Sequence, residues 1–259
     1  MAASALARST VESLLRERRL DRTLTTSAPL VSREIATMPS GVPSLDVRLG
    51  GGWPKGQWSE VVGPRSSGRS WTLAQAMAQA TQRGELVALI DAFDTWDPTA
   101  VAACAPDWGR WLWVRGMSMA AGGPASAAGE KTLATQAVDR ALKAAAMLLQ
   151  AGGFAMVGLD LSEAPQAVIR ALPFTTWLRL QRMLEGHDTV GVLLAAEPTA
   201  RSAEGVSVQL HAAEACWSGS DDRSRYLAGC DVRGRVAHAR RALRSDDGFT
   251  LTTPMRRAG

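Results

Sequence analysis

Cysteine, histidine, lysine and tyrosine are all scarce in this chain: three, three, three and one among 259 residues. The cysteines, Cys104, Cys216 and Cys230, are far apart, odd in number and never in C-x-x-C spacing. With only His187, His211 and His238 beside them, they argue against a zinc site and read as buried or neutral thiols. No apolar run reaches the roughly 18 residues that span a bilayer, so no transmembrane helix and no membrane partner are expected. Met1 to Thr10 is mixed and small rather than charged and then apolar, which argues against a secretory signal and for a cytoplasmic protein. There is no internal repeat.

What the chain does have is an ordinary globular share of hydrophobic residues, 46%, enough for one large domain or one domain with appendages. Lys55, Lys131 and Lys143 are its only lysines, so its positive charge is nearly all arginine. That charge is uneven. Arg223 to Arg257 holds nine arginines against three aspartates, a balance of +6, whereas the whole chain carries +4. The basic C-terminal stretch suits a polyanion or an acidic protein surface; the plain alternative is a solvated face. Nine tryptophans are unusual beside one tyrosine. Trp108, Trp111 and Trp113 alternate with Arg110 and Arg115, a mixture that can stack on single-stranded nucleic acid. Period-two spacing at Trp111 and Trp113 equally fits a core strand, which is the favoured reading.

The most specific feature is Gly63-Pro64-Arg65-Ser66-Ser67-Gly68-Arg69-Ser70. It has the form G-x-x-x-x-G-K-[ST] with arginine in place of lysine. An apolar run, Trp58 to Val62, precedes it as a strand, and Trp71 to Arg83 follows as a helix stopped by Gly84. A loop of this kind cradles phosphates with backbone N–H groups and a helix N-terminus. Its lysine reaches the β- and γ-phosphates and its Ser/Thr hydroxyl holds Mg²⁺.

Strand-like and helix-like runs alternate beyond it. Leu86–Asp91, Trp111–Val114, Phe154–Asp160 and Thr189–Ala195 read as strands; Thr132–Gln150 and Pro173–Glu185 read as helices. Met117 to Gly129 reads as a flexible Gly/Ala/Ser loop. Past Val206 the runs become short and β-like. The pattern predicts an α/β fold: a mostly parallel central sheet, helices on both faces, and a C-terminal antiparallel extension. Domain bounds follow at residues 1–38 (N-terminal helix and linker), 39–253 (core) and 254–259 (tail). Within 4–22, Val11, Leu14 and Leu15 form an apolar stripe at helical spacing, flanked by arginines. That helix either packs on its own core or docks on another protein.

Gly41-Val-Pro-Ser-Leu45-Asp46, Leu49-Gly50-Gly51-Gly52-Trp-Pro54-Lys-Gly56, Glu60 and Gly63–Gly68 together resemble the RecA-like ATPase family. The similarity is good over 39–100 and collinear, though weak, to about 253. The resemblance implies a RecA-like P-loop core, with the vestigial or weak phosphate loop at Gly63–Ser70. It also implies Mg²⁺ ligands at Ser70 and at Asp160, the strand-end carboxylate, if nucleotide binds.

The departures from that family cluster at the chemistry. Its loop lysine falls at Arg69, a planar fork rather than a compact charge. Its water-activating glutamate falls at Phe93, which cannot take a proton. Its adenine-stacking tyrosine falls at Ala100, and its γ-phosphate sensor falls near Glu197-Pro198. Phosphoryl transfer rests on positioning and charge, so these changes together imply a chain that is not an enzyme. No cofactor is then required, although ATP with Mg²⁺ stays open for the loop. The segment Thr199–His211, where the family carries a mobile DNA-binding loop, has Arg201 as its only cation.

A RecA-like core with a decayed site, an amphipathic N-terminal helix and an arginine-rich tail resembles the ImuA (SulA/RecA-like) accessory proteins of translesion synthesis. The resemblance implies an adaptor in DNA-damage-induced mutagenesis within the SOS response. Its partners would be RecA and an ImuB-type inactive Y-family polymerase homologue, with DNA met through the partner and the nucleoid joined when DNA is damaged. Val11, Leu14 and Leu15, with Arg240, Arg241 and Arg244, are the expected partner contacts. Two other readings remain: an active DNA-dependent RecA-like ATPase, and a cell-division inhibitor of the SulA type.

Overall fold

The structure, a computed structural model, describes residues 36–117, 127–200, 205–220, 223–238 and 248–254. Val11, Leu14, Leu15, Arg240, Arg241 and Arg244 lie outside the described residues.

The chain opens with a two-stranded antiparallel ribbon, β1 (Thr37–Met38) and β2 (Trp53–Pro54), on either side of helix α1 (Pro43–Leu49). Proline at the first turn of α1 and left-handed Gly50 after it, φ 68°, start and stop that helix. Next come β3 (Trp58–Val62), helix α2 (Arg69–Gln82), β4 (Val87–Asp91), the single turn α3 (Pro98–Val101) and β5 (Trp111–Arg115). Helix α4 (Ala127–Ala151) leads to β6 (Met156–Asp160), the short α5 (Gln166–Arg170), α6 (Phe174–Leu184) and β7 (Val190–Ala195). Four strands finish the described fold: β8 (Ser207–Leu210), β9 (Glu214–Ser218), β10 (Tyr226–His238) and β11 (Phe249–Pro254).

Among the described residues, one sheet orders its strands β11-β10-β8-β3-β7-β6-β4-β5, with β9 pairing β10 off that path. The six strands from β5 to β8 are parallel; β10 runs antiparallel to β8, β9 and β11. The expected α/β sheet with its antiparallel extension is present, and the extension begins one strand later than the sequence suggests. The first of the short C-terminal runs, β8, joins β3 in parallel. Residues 196–206 between β7 and β8 are long enough to return the chain to the starting edge, which a parallel neighbour requires. Helix α4 starts at Ala127, before the expected Thr132, with the strong helix formers Ala127 and Ala128 in its first turn.

Alternate residues of each central strand face opposite layers, so β3, β4 and β6 divide their side chains between two cores. Val61, Leu89 and Met156 pack with Leu45, Leu73 and Met77 under α1 and α2. Val62, Ile90 and Val157 pack with Val138, Trp177 and Leu180 under α4 and α6. These uninterrupted apolar strands are the signature of a sheet buried on both faces. α2 lies close on the sheet: a Cβ on Gly158 would meet a Leu73 methyl carbon at 2.8 Å. That contact fixes α2 against the sheet and aims its N-terminus at the strand ends. Trp111 and Trp113 are half-buried and packed on the first core, as the period-two reading expects, while Trp108 stays 46% exposed.

Candidate functional site

The loop between β3 and α2 holds its shape through two glycines. A Cβ on Gly63 would come within 2.5 Å of the Leu210 carbonyl oxygen and 2.7 Å of Ser67 Oγ. Gly68 is left-handed, φ 82°, and as the residue capping α2 it offers no side chain to the helix's first N–H groups. Ser66, also left-handed at φ 59°, folds the loop inward. Thr72 closes the turn from below, its N–H and its hydroxyl each donating to the Gly68 carbonyl at 2.9 Å. The helix N-terminus therefore faces outward, with its partial positive charge uncapped by any side chain.

Around it opens a cleft of about 940 Å³. The loop and α2 form one wall, residues 95–103 another, and Leu227, Val232 and Thr253 of β10 and β11 a third. Arg69 lines this cleft yet is only 6% exposed. Its Nη1 is buried without a hydrogen-bond partner. Burial holds the Arg69 guanidinium below its usual range; the Asp160 and Glu163 carboxylates oppose that shift, and Arg65 adds to it. Arg65 itself is turned across the loop onto Glu163, Nε to Oε1 at 3.2 Å with a second contact from Nη2.

Asp160, at the end of β6, is 4% exposed and accepts the Ser162 N–H at 2.8 Å. Burial pushes its carboxyl up to about 6 against the pull of hydrogen bonds from the Ser162 side chain and N–H. Its neighbour in register, Asp91 at the end of β4, accepts the Thr95 N–H at 3.1 Å and the Trp96 N–H at 2.9 Å, so it shapes the wall of the cleft. Phe93 is 3% exposed and packs in the core under α4, on the far face of the sheet from α2. Asp94 is left-handed, φ 55°, and held by both arms of Arg115 at 2.7 and 2.8 Å. Ala100 lines the cleft with Trp71 and Trp96. Glu197 accepts from Gln166 at 2.7 Å and Arg170 at 3.2 Å and does not line it.

The arrangement brings Arg65, Ser66, Gly68, Arg69, Ser70 and Asp160 to one cleft. An oxyanion fits here: the buried Arg69 Nη1 lacks a partner and a helix N-terminus lies beside it. A divalent cation fits less well. It would draw on Ser70 and on an Asp160 already hydrogen-bonded, with the Arg69 charge close by. Ser162 and Glu163 escape sequence reasoning; their signal is a polar turn directly after a strand-end carboxylate. Glu60 also escapes it as a structural residue. It is 6% exposed and accepts from the Thr199 and Ala200 N–H groups, both at 2.9 Å, and from the Ser207 hydroxyl at 2.7 Å, tying the β7–β8 connection to β3. The arginines among the tryptophans are already engaged: Arg110 with Asp107 and the Gly84 carbonyl, Arg115 with Asp94. The segment Thr199–His211 contains strand β8, and its residues 201–204 lie outside the described residues. No helix among the described residues is long and apolar enough to cross a membrane.

Comparison with known proteins agrees with this geometry. Residues 23–109 match the RecA N-terminal domain family. The chain is 42% identical over 74 residues to Protein RecA of Picosynechococcus sp., which covers 29% of this chain and 21% of that protein. It is 41% identical over 73 residues to Protein RecA of Prochlorococcus marinus, covering 28% and 19%. With Protein RecA of Lactobacillus johnsonii it shares 42% over 78 residues, covering 30% and 22%. The chain thus spans about a fifth of the length of the curated relatives it matches.

Proposed function

Starting from a chain that is RecA-like over the third that holds its phosphate loop and α/β throughout its described core, we propose that it is a non-hydrolysing accessory protein of DNA-damage-induced mutagenesis. In this reading it acts in translesion synthesis as an adaptor. It binds RecA, an inactive Y-family polymerase homologue of the ImuB type, or both, and it meets DNA through those partners. It works in the cytoplasm and joins the nucleoid when DNA is damaged.

The observation that carries the reading is the fate of the residues after β4. A general base must reach the attacking water, within about 3 Å or through one further water. The residue in the base position, Phe93, is buried on the opposite face of the sheet. The carboxylate beside it, Asp94, is bound by both arms of Arg115. The cation in the loop is arginine, and the residue near the sensor position, Glu197, is drawn to Gln166 and Arg170. Electrostatic and positioning groups of this kind are each worth on the order of 3 kcal/mol in a transition state. Several absent together support a site without useful turnover.

A second reading, an active DNA-dependent ATPase, draws on the open cleft and the unpartnered Arg69 Nη1. One pair of measurements separates the two. ATP turnover by the full chain is followed with and without single-stranded DNA, and its binding to purified RecA filaments and to the polymerase homologue is measured in parallel. The adaptor reading expects turnover at background and saturable binding to at least one partner. DNA-stimulated turnover at a recombinase-like rate, abolished in Ser70→Ala, would overturn it.

A further inference from the structure

We propose that the bare edge of the main sheet, β5, pairs with β5 of a second copy of this chain, antiparallel and about a two-fold axis at Trp113.

The edges of that sheet are finished differently. β11 is covered by α1: Ser44 Oγ donates to the Thr250 carbonyl at 2.8 Å and Arg48 Nη2 to the Gly248 carbonyl at 3.3 Å. β9 carries Glu214, and its ladder with β10 shifts register between Leu227 and Gly229. Charges and bulges of this kind keep an edge from recruiting a further strand. β5 has no bulge and no free charge. Among the described residues it pairs with β4 alone, in unbroken register from Val87–Trp111 to Asp91–Arg115. Its sequence, Trp-Leu-Trp-Val-Arg, holds no proline or lysine, and Arg115 is bound by Asp94. Half of its backbone N–H and C=O groups point away from β4, and no backbone bond among the described residues takes them.

The strand itself names the occupant. A two-fold interface sets each patch against its own copy. With the axis normal to the sheet, each helix layer continues into its counterpart, so residues opposite one another must share a face. Centring on Trp113 is the one such register that pairs all five residues. It sets Trp113 against Trp113, Leu112 against Val114 and Trp111 against Arg115, and no charge meets its like. Aromatic, aliphatic and cation–aromatic pairs are each favourable across a ladder. The Arg115 guanidinium already lies over its own Trp113 ring at 4.9 Å.

A knob and a hole supply the second observation. Leu112 lies opposite Ala88, whose side chain packs under α4, so Leu112 stands on the α4 face of the sheet; it is 43% exposed. Two residues on, a cavity of about 130 Å³ lies against Val114, walled by Ala137, Ala141 and Ala144 of α4. Arg115 and Arg140 also line it, their guanidinium groups engaged with Asp94 and with the Met117 sulfur. An apolar cavity of about 150 Å³ holds a benzene-sized group, so a leucine side chain fits this one. The register that pairs all five residues places Leu112 of each copy opposite Val114 of the other, beside that cavity. The two-fold axis makes the exchange twice.

The test is sedimentation equilibrium of the full chain across a range of concentrations. A reversible dimer is expected, with a dissociation constant on the order of 10–100 µM, because five paired residues bury less than a standard interface. Leu112→Lys removes the knob and charges the edge. Ala144→Leu fills the hole and leaves the knob. Each should raise the dissociation constant by about tenfold or more and leave the melting temperature unchanged. Should either variant not fold, the other serves, since they act on opposite halves of one contact.

Register is read by cross-linking. Residues directly opposite on a ladder have Cβ atoms about 4.5–5.5 Å apart, near disulfide reach. The double variant Leu112→Cys with Val114→Cys is therefore expected to oxidise to a covalent dimer through the two introduced cysteines, located by peptide mapping. The proposal is overturned if the full chain stays monomeric to roughly 300 µM, above the weak end expected for so small an interface. It is equally overturned if a dimer forms but both folded variants keep its affinity, or if the introduced cysteines do not link. Protection of the β5 amides from hydrogen exchange only when RecA or the polymerase homologue is added would overturn it too, and would assign the edge to that partner.

Discussion

Asp160 shows how one residue's surroundings become a property of the whole chain. Its carboxyl sits at about 6 in the fold against an ordinary value near 3.8, because burial penalises the ionised form. Between those values the folded state holds a proton that the unfolded chain has released. Stability therefore falls as pH rises through that window and is level above it. The direction is opposite to that of a salt-bridged aspartate. Asp160→Asn keeps an acceptor for the Ser162 N–H and removes the titration. The variant is expected to lose this slope and to exceed the wild type at neutral pH by on the order of 2 kcal/mol. Urea unfolding midpoints across the window check it; the same slope in both proteins would assign the effect to other carboxylates.

At the scale of the element, the end of β4 decides chemistry, because Phe93 lies in the turn beyond it, where strand alternation no longer holds. β4 ends at Asp91, whose carboxylate stays beside the cleft and hydrogen-bonds the N–H groups of Thr95 and Trp96. Phe93 turns to the other layer and fills the core under α4. Installing an acid at that position therefore does not rebuild a base. Phe93→Glu is expected to lower stability by about 3 kcal/mol or more, through the lost aromatic packing and the buried carboxyl, and to give no ATP turnover. Denaturant unfolding and a turnover assay read the two halves. A stable variant that hydrolyses ATP would show that the segment can swing this side chain into the cleft.

Element type was legible because the strands are short, apolar and bounded by glycine, while helices such as α6 (Phe174–Leu184) carry clear 3.6-residue periodicity. The phosphate loop was legible because its glycines sit at fixed offsets. The parallel pairing of β8 was not, since four residues of alternating polarity, Ser207 to Leu210, carry no information about a neighbour's direction. The Arg65–Glu163 contact and the Ser162 contribution were hidden too. They join segments almost a hundred positions apart, and only the sheet order brings those segments together.

For the whole molecule, charge distribution is the property that reaches beyond the core. The balance of +6 over Arg223–Arg257 exceeds the chain's net +4, so the remainder of the sequence is slightly acidic. Part of that basic stretch is used within the fold. Arg233 pairs with Glu214, and Arg235 donates to Gln209 at 2.9 and 2.7 Å. The arginines expected to meet partners, Arg240, Arg241 and Arg244, follow β10 in the sequence and lie outside the described residues. Clustered guanidinium groups suit carboxylates and phosphates, and exposed ones act with strong salt dependence. The triple substitution Arg240→Ala, Arg241→Ala and Arg244→Ala is expected to weaken binding to RecA filaments or to the polymerase homologue at least tenfold at low salt, a loss of about 1.4 kcal/mol. It should also flatten the salt dependence and leave the melting curve unchanged. If free DNA binding alone is lost, the segment contacts DNA directly. The salt slope should then fall by about 0.9 for each phosphate contact removed. If neither binding nor slope moves while the protein stays folded, these arginines are a solvated face, and the adaptor's contact surface must lie elsewhere.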